Sequence, residues 1–171
     1  MVRGKIARKF NISPKYPEPP EGWEARKPPE AGEVELISER IGGQEREIIV
    51  IVESIAYPII RDECKDFGIT PPRIEWVTSL KVRGREHRGG YRHGTEVIYQ
   101  NSYTITSMLE EGQAERDIIA RSIRSILHEL SHYVDAVFHK ASLGDVVKNY
   151  KYYETRADEY AESLMPPKIM A

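Results

Sequence analysis

The sequence predicts an α+β fold in which a small mixed or antiparallel sheet packs against a long helix and a C-terminal helix. Apolar residues recur at the 3.6-residue period of a helix in three long stretches, whereas β-forming residues are concentrated between Ile74 and Tyr103. The chain of 171 residues can bury one core without disulfides, and its single cysteine, Cys64, cannot form one internally. We therefore expect one domain over residues 34–171, preceded by an extension over residues 1–33.

The composition is that of a globular protein. Hydrophobic residues make up 40% of the chain and charged residues 30%, with a formal net charge of -2, so the overall charge does not favour nucleic acid or anionic membrane as a partner. No run of 18 or more apolar residues and no secretory signal can be read. Together with the single cysteine, these features predict a cytoplasmic protein.

Residues 1–33 differ in composition from the rest of the chain. Residues 1–15 carry five basic residues and no acidic one, and residues 14–29 contain six of the eleven prolines. The basic arm is interpreted either as a nucleic-acid contact or as a solvated or packed terminus. We favour the second interpretation because five positive charges are few for a nucleic-acid-binding surface. The Pro-rich segment is expected to act as a spacer or to wrap around the domain.

The domain is expected to begin with a strand and a helix. A short strand is predicted over residues 34–38, followed by a turn at residues 41–43. The apolar spacing then predicts a helix from Gln44 to about Asp66, with Gly68 following its end. Pro58 is expected to kink this helix.

The β region that follows is predicted to be a hairpin. Residues 74–82 alternate between apolar and polar side chains, which indicates one half-buried strand. Residues 83–94 contain four glycines and are typical of an exposed connection. Residues 95–103 return to β-forming types, so we expect them to pair with residues 74–82.

A long helix is predicted after the hairpin. Ser107 and Glu110 have the spacing of a capping box, and the helical apolar period continues to about His139, with an interruption near Gly112. The candidate metal-binding histidines described below lie on this helix.

The chain ends with a turn and one more helix. Leu143 and Gly144 indicate the turn, and the helix is expected to begin at Asn149 or Tyr150 and to end before Pro166. Two acidic residues on this helix, Glu154 and Asp158, are candidates for the site described below.

Two histidines on the long helix are arranged for metal binding. His128 and His132 stand one turn apart on one helix face and can present ring nitrogens to a single divalent ion. Glu129 lies about 100° around the helix from His128, which suits a base that holds a water beside the metal. The His-Glu-x-x-His spacing is a zinc motif. The alternative interpretation is a chance meeting of these residues on a core helix, without metal.

Acidic residues on the last helix offer a third ligand. Glu154 and Asp158 share a helix face with Ala157 and Ala161, whose small side chains indicate close packing. Zinc would provide a partner for Glu154, and the N–H of a ligand imidazole would provide one for Asp158, whereas the alternative is a solvated acidic face. Asp135 also shares the ligand face; it competes as a ligand, but a supporting contact to a ligand histidine is the favoured role.

The spacing of these residues resembles that of the gluzincin metallopeptidases. In that family a His-Glu-x-x-His motif, here His128, Glu129 and His132, is followed by a glutamate ligand on a later helix, here Glu154. The aspartate four residues on, here Asp158, orients a ligand histidine in the family.

The string from Glu154 to Pro166 is similar to the ImmA/IrrE group and to the minimal gluzincins. That group pairs His-Glu-x-x-His with a Glu-x-x-Ala-Asn/Asp-x-Phe-Ala segment and often a Leu-Met-Pro ending. The resemblance covers roughly residues 95–166. Ser131 stands where the group often has glycine, and the first 40 residues have no counterpart.

The resemblance implies a zinc metalloendopeptidase with one Zn²⁺ per chain. His128, His132 and Glu154 would hold the ion, and Glu129 would act as general base and then general acid on a peptide or protein substrate. The alternative is an ImmA/IrrE-like regulatory protein that binds zinc and acts on a transcriptional repressor or another partner.

Three further expectations concern the substrate. An extended substrate is expected to pair with residues 95–103 as the edge of the sheet. The Pro-rich segment or the tail over residues 166–171 would make the enzyme latent if it covered the cleft. The candidates for stabilising the oxyanion are Tyr152, Tyr153, Tyr160, His93 and His139, although packing or surface exposure is the favoured role for each of them.

Overall fold

The structure, a computed structural model, describes residues 34–170. The expected extension over residues 1–33 lies outside the described residues, as does Ala171. Between residues 34 and 170, no helix combines the length and the apolar character that a membrane crossing requires.

The described chain has the expected α+β architecture. Its helices are α1 (Gly43–Phe67), α2 (Ser102–Glu110), α3 (Glu115–Val137), α4 (Leu143–Lys148), α5 (Tyr150–Leu164) and α6 (Pro167–Met170). Its strands are β1 (Val34–Ile37), β2 (Arg73–Val77), β3 (Ser79–Val82), β4 (Arg85–Glu86), β5 (Gly89–Tyr91) and β6 (Val97–Asn101).

The strands form two small sheets rather than one. β1, β3 and β4 form an antiparallel sheet in that order, and the second sheet has the order β2-β6-β5. The prediction of one strand over residues 74–82 is wrong, because the chain leaves the second sheet and enters the first at Thr78. The Thr78 amide and hydroxyl both donate to the Ile37 carbonyl of β1. Val77 is buried although the alternation places it on the solvent face, which marks this break.

The predicted hairpin is also wrong. β6 pairs with β2 in parallel, with Ile74 opposite Ile98, and it pairs with β5 in an antiparallel arrangement. Residues 97–101 therefore form the central strand of their sheet, so the prediction that residues 95–103 offer a free edge fails. The free edge nearest to α3 belongs to β5, because β5 pairs only with β6 within residues 34–170.

The predicted first helix is confirmed as α1. It continues through Pro58, and Gly68 ends it in the left-handed conformation with φ 70°, where its N–H donates to the carbonyls of Cys64 and Lys65. The Cys64 side chain is fully buried in the hydrophobic core.

The predicted long helix is divided in two. Its expected capping box at Ser107 is wrong: Ser107 lies inside α2, and the Asn101 side chain caps this helix by accepting from the Tyr103 amide. The expected interruption near Gly112 is confirmed, since α2 ends at Glu110 and α3 begins at Glu115.

The last two helices follow α3 closely. The predicted turn at Leu143 and Gly144 is instead the start of the short helix α4, for which Ser142 and Asp145 form a capping box. The predicted final helix is confirmed as α5.

α3 lies at the centre of the domain. It packs against α1, α5, β5 and β6, and Ile123, Ile126, Leu127 and Leu130 on it are completely buried. The helix that carries the candidate motif is therefore also the main support of the hydrophobic core.

Candidate metal centre

α3 brings His128 and His132 together as their spacing predicts. Their ring centroids are 4.9 Å apart, and their Nε2 atoms are separated by 3.2 Å. Both imidazoles are mostly shielded from solvent, with side-chain exposures of 16% and 15%. Two ring nitrogens thus point to one place beside the helix.

α5 supplies the third group to the same place. Glu154 Oε2 lies 2.6 Å from His132 Nε2, and Glu154 Oε1 lies 3.4 Å from His128 Nε2. The close approach of α5 to α3 is made possible by Ala157 and Ala161, which are both fully buried. The strip of small residues on α5 therefore serves to bring the carboxylate of Glu154 to the two imidazoles.

These three residues form a group that could hold a metal ion. One donor atom from each of His128, His132 and Glu154 lies within 4.8 Å of the other two. Within residues 34–170, Asp135 is not part of such a group. The alternative of an aspartate ligand from α3 thus has no geometric support among the described residues.

Asp158 holds His128 in a defined orientation. His128 Nδ1 donates a hydrogen bond to Asp158 Oδ1 at 2.8 Å. A proton on Nδ1 leaves Nε2 with its lone pair, and Nε2 is the atom that faces His132 and Glu154. The structure thus brings Asp158 to the position expected of it.

The charges of the three central residues are strongly coupled. Burial opposes protonation of His128, but Glu154, Glu129 and Asp158 outweigh it and raise the pKa of His128 to about 9. The pKa of His132 is also raised, against the effect of burial, chiefly by Glu154. Burial would raise the pKa of Glu154, yet the two histidines hold that pKa well below its usual range. Without metal the cluster therefore holds protons that a cation would displace.

Glu129 lies beside the cluster in a buried position. Burial raises the pKa of its carboxyl, and the neighbouring His132 and His128 oppose this rise. No described residue makes a hydrogen bond to the Glu129 carboxylate. A carboxylate that is buried and not engaged by other side chains is suited to accept a proton from water.

Asp135 is buried on α3, three residues after His132. Its Oδ1 accepts a hydrogen bond from Arg156 Nη2 at 3.3 Å and lies 4.0 Å from His139 Nε2. No hydrogen bond joins it to His132 within residues 34–170. Asp135 therefore pairs with Arg156, which lies on α5 two residues after Glu154.

Two oxyanion candidates are engaged in the core. The Tyr160 hydroxyl donates to the buried Glu63 carboxylate at 2.8 Å. His139 is 2% exposed and lies against the rings of Phe67 and Phe138. Tyr153 is buried and His93 is partly exposed. The Tyr152 ring meets the Tyr153 ring edge-on, and the Arg156 guanidinium lies over the Tyr152 ring.

A cleft that no sequence pattern predicts lies next to the centre. It has a volume of about 360 Å³, and its lining includes Arg88, Arg121, Arg124 and Ser125 together with His128 and Asp158. Arg88 lies in the bend before β5, whereas Arg121 and Arg124 lie on α3. The sequence alone indicates only that Arg121 and Arg124 share a helix face with His128.

No protein-family model matches this chain, and no curated protein or solved structure matches it either. Its function is therefore inferred from the chemistry of the site.

Proposed function

We propose that this chain is a zinc-dependent metallopeptidase. The observation that carries the proposal is the convergence of His128, His132 and Glu154 from two helices, with Glu129 buried beside them. Two imidazoles and one carboxylate are one of the ligand sets found in catalytic zinc sites, in which three protein ligands leave a position for water.

The distances fit a zinc ion. Tetrahedral zinc with bonds of about 2.0–2.1 Å places its ligand atoms about 3.3 Å apart. The separation of the two Nε2 atoms is 3.2 Å, and that between His128 Nε2 and Glu154 Oε1 is 3.4 Å. The shorter 2.6 Å contact of His132 with Glu154 is a direct hydrogen bond that ligation would replace.

The residues around the ligands have defined roles in hydrolysis. Zinc, when bound, acidifies a water and polarises a carbonyl oxygen. Glu129 accepts the proton of the attacking water and passes it to the leaving nitrogen. Asp158 fixes the His128 tautomer through the Nδ1 hydrogen bond, so that Nε2 serves as the ligand atom.

The substrate is proposed to be a peptide or protein segment in extended conformation. β5 (Gly89–Tyr91) lies against α3, and its second edge has no strand partner within residues 34–170. An extended peptide would add to this edge through main-chain hydrogen bonds. The buried Cys64, as the only cysteine, is in keeping with a cytoplasmic peptidase.

The direct test is the Glu129→Gln variant of the full-length protein. We expect it to retain one zinc per chain, measured by elemental analysis, and to hydrolyse a quenched fluorescent peptide library about 100-fold or more slowly, because the proton acceptor is lost. Undiminished zinc-dependent hydrolysis by this variant would overturn the proposal.

Two further variants complete the test. His132→Ala should lose the zinc, which would exclude the interpretation of the motif as a metal-free core feature. Glu159→Gln is the matched control, because Glu159 is an exposed acid on α5 beside Asp158. It should keep both zinc and activity.

A further inference from the structure

The cleft beside the metal centre is lined mainly by cationic side chains. Arg88, Arg121 and Arg124 share it with Ser125, and it reaches His128 and Asp158 at one end. A substrate that extends from the metal centre past His128 toward the start of α3 would meet these arginines.

The helical arginines form a row that leads away from His128. Arg124 precedes His128 by about one turn of α3 and Arg121 by about two, so all three residues share one helix face. At 1.5 Å per residue, the two arginines lie about 6 and about 10 Å from His128 along the helix axis. An extended peptide covers these distances in about two to three residues.

Arg88 approaches the same row from the sheet. Its carbonyl accepts a hydrogen bond from the Asn101 amide, which fixes the backbone just before β5. Its Nε is buried and has no hydrogen-bond partner among the described residues. Burial and the nearby charge of Arg121 lower the pKa of the Arg88 guanidinium. A buried donor next to a like charge calls for an anion.

The acidic residues near the cleft are already engaged. Glu162 pairs with Arg124 at 3.1 Å, and Asp158 accepts the hydrogen bond of His128. Within residues 34–170, neither Arg88 nor Arg121 forms an ion pair with an acidic side chain. Two positive charges of the cleft are therefore left without a counter-charge in the described chain.

We propose that this cleft binds a carboxylate of the peptide substrate, two to three residues from the scissile bond, between Arg88 and Arg121. The inference rests on the proposed peptidase function and names its substrate class: peptides that are acidic near the cleavage site. The carboxylate belongs either to an Asp or Glu side chain or to the C-terminus of the peptide. Arginine is suited to this task because its planar guanidinium can donate two parallel hydrogen bonds to one carboxylate.

Zinc-chelating peptides allow the inference to be tested without catalysis. One series of alanine peptides carries a hydroxamate at the C-terminus and a second series carries it at the N-terminal end, so that the peptide extends in either direction from the zinc. Within each series, the second or third residue from the hydroxamate is Glu in one peptide and Gln in its partner. In the second series, free-acid and amidated termini distinguish the α-carboxylate from the side chain.

Dissociation constants are measured by calorimetry with the zinc-loaded, full-length protein. We expect at least one anionic peptide to bind about tenfold more tightly than its neutral partner, as one charge-assisted bidentate contact provides. This preference should weaken at high salt, because Arg121 is exposed. It should disappear in Arg88→Gln and in Arg121→Gln.

Arg116→Gln provides the matched control. Arg116 is an exposed arginine on α3, about 140° around the helix from Arg121, and it does not line the cleft. This variant should keep the preference in full. Since Arg121 is on the surface, its substitution keeps the test valid even where Arg88→Gln fails to fold.

The outcomes separate the two proposals. Hydroxamates that bind zinc-loaded protein without regard to peptide charge, or a charge preference that survives both substitutions, would overturn the carboxylate cleft and leave the peptidase proposal standing. Failure of every hydroxamate to bind the zinc-loaded protein would count against both.

Discussion

Asp158 is exposed to solvent and also orients the His128 ring. Its side chain is 75% exposed, yet its Oδ1 receives the His128 Nδ1 hydrogen bond at 2.8 Å. An exposed acid ordinarily tolerates substitution, but this one fixes the tautomer of a candidate ligand. Its position one turn after Glu154 on α5 lets one helix face provide both a candidate ligand and the support for another.

We predict that Asp158→Asn weakens zinc binding by about 10-fold or more, because a neutral amide is a poorer acceptor and polarises the imidazole less. Competition with a chromophoric chelator measures the affinity. Glu159→Gln, the neighbouring exposed acid, should leave the affinity unchanged. Equal affinity of wild type and Asp158→Asn would show that the hydrogen bond does not support the ligand.

The coupling of His128 to its acidic neighbours predicts how the metal-free protein responds to pH. The pKa of His128 is about 9 in the folded protein against an ordinary value of 6.5, so the folded state holds this proton more tightly. The resulting stability is fully present below about pH 6.5 and is lost as the pH rises through about 9. This contribution to the free energy of unfolding is about 3 kcal/mol.

Denaturant unfolding of zinc-free protein should therefore show a decrease in stability from pH 6 to pH 9. Glu154→Gln should flatten this decrease, because Glu154 makes the largest contribution to raising the pKa of His128. With zinc bound the trend should reverse, since zinc competes with protons for the same nitrogens. A zinc-free protein whose stability rises over this range would contradict the coupling.

The candidate metal centre lies within a polar ladder of three side-chain pairs between two helices. Arg124 pairs with Glu162, His128 with Asp158, and His132 with Glu154. Each step of four residues forward along α3 corresponds to a step of four residues back along α5. The two helices are thus antiparallel, and one polar side-chain pair per helical turn fixes their alignment.

The contact between β5 and α3 depends on one glycine. A Cβ on Gly89 would lie 2.9 Å from Ser125 Oγ and 3.0 Å from the Tyr99 carbonyl oxygen, and it would overlap the Gln100 amide. These contacts are too short for a side chain, so Gly89 allows the sheet edge to approach the helix one turn before His128.

We predict that Gly89→Ala lowers the free energy of unfolding by about 1–3 kcal/mol, because the strand must move away from α3. Gly90→Ala is the control, since a Cβ there would meet only Leu80 Cδ2 at an ordinary 3.7 Å. Its effect should stay within about 0.5 kcal/mol. Equal destabilisation by both substitutions in thermal melts would disprove the close approach at Gly89.

Local sequence patterns predicted α1, α3, α5 and the group that could hold a metal ion. The period of 3.6 residues fixes which residues of a helix share a face, so His128 and His132 meet whatever surrounds them. Glu154 and Asp158 could be added from their spacing and from the small residues between and after them.

The sheets and the cleft could not be predicted in the same way. The pairing of β2 with β6 and the separate sheet of β3 depend on contacts between distant residues, and period-two alternation does not specify a partner strand. Arg88 joins Arg121 only because β5 is placed against α3. No local pattern contains that information.

At the scale of the whole molecule, the proposed ion would join the two helices that carry the ladder. A ligand that binds only the folded state stabilises it by about 4 kcal/mol when present at 1,000 times its dissociation constant. We therefore predict that chelation lowers the melting temperature of the zinc-loaded protein by about 10 °C.

Differential scanning calorimetry with and without a chelator measures this shift, and added zinc should restore the original melting temperature. His132→Ala should show no response to either reagent. A melting temperature of the wild-type protein that does not change on removal of zinc would contradict a site built between α3 and α5.

The double role of α3 has a consequence for how this protein can evolve. The residues between its two histidines, Leu130 and Ser131 among them, are buried, so mutations there act on folding and on chemistry together and selection removes them for either reason. Arg121 and Arg124, two turns and one turn earlier, are exposed. Substitution there leaves the core intact, so lineages could change the proposed substrate preference while keeping the fold and the candidate metal centre.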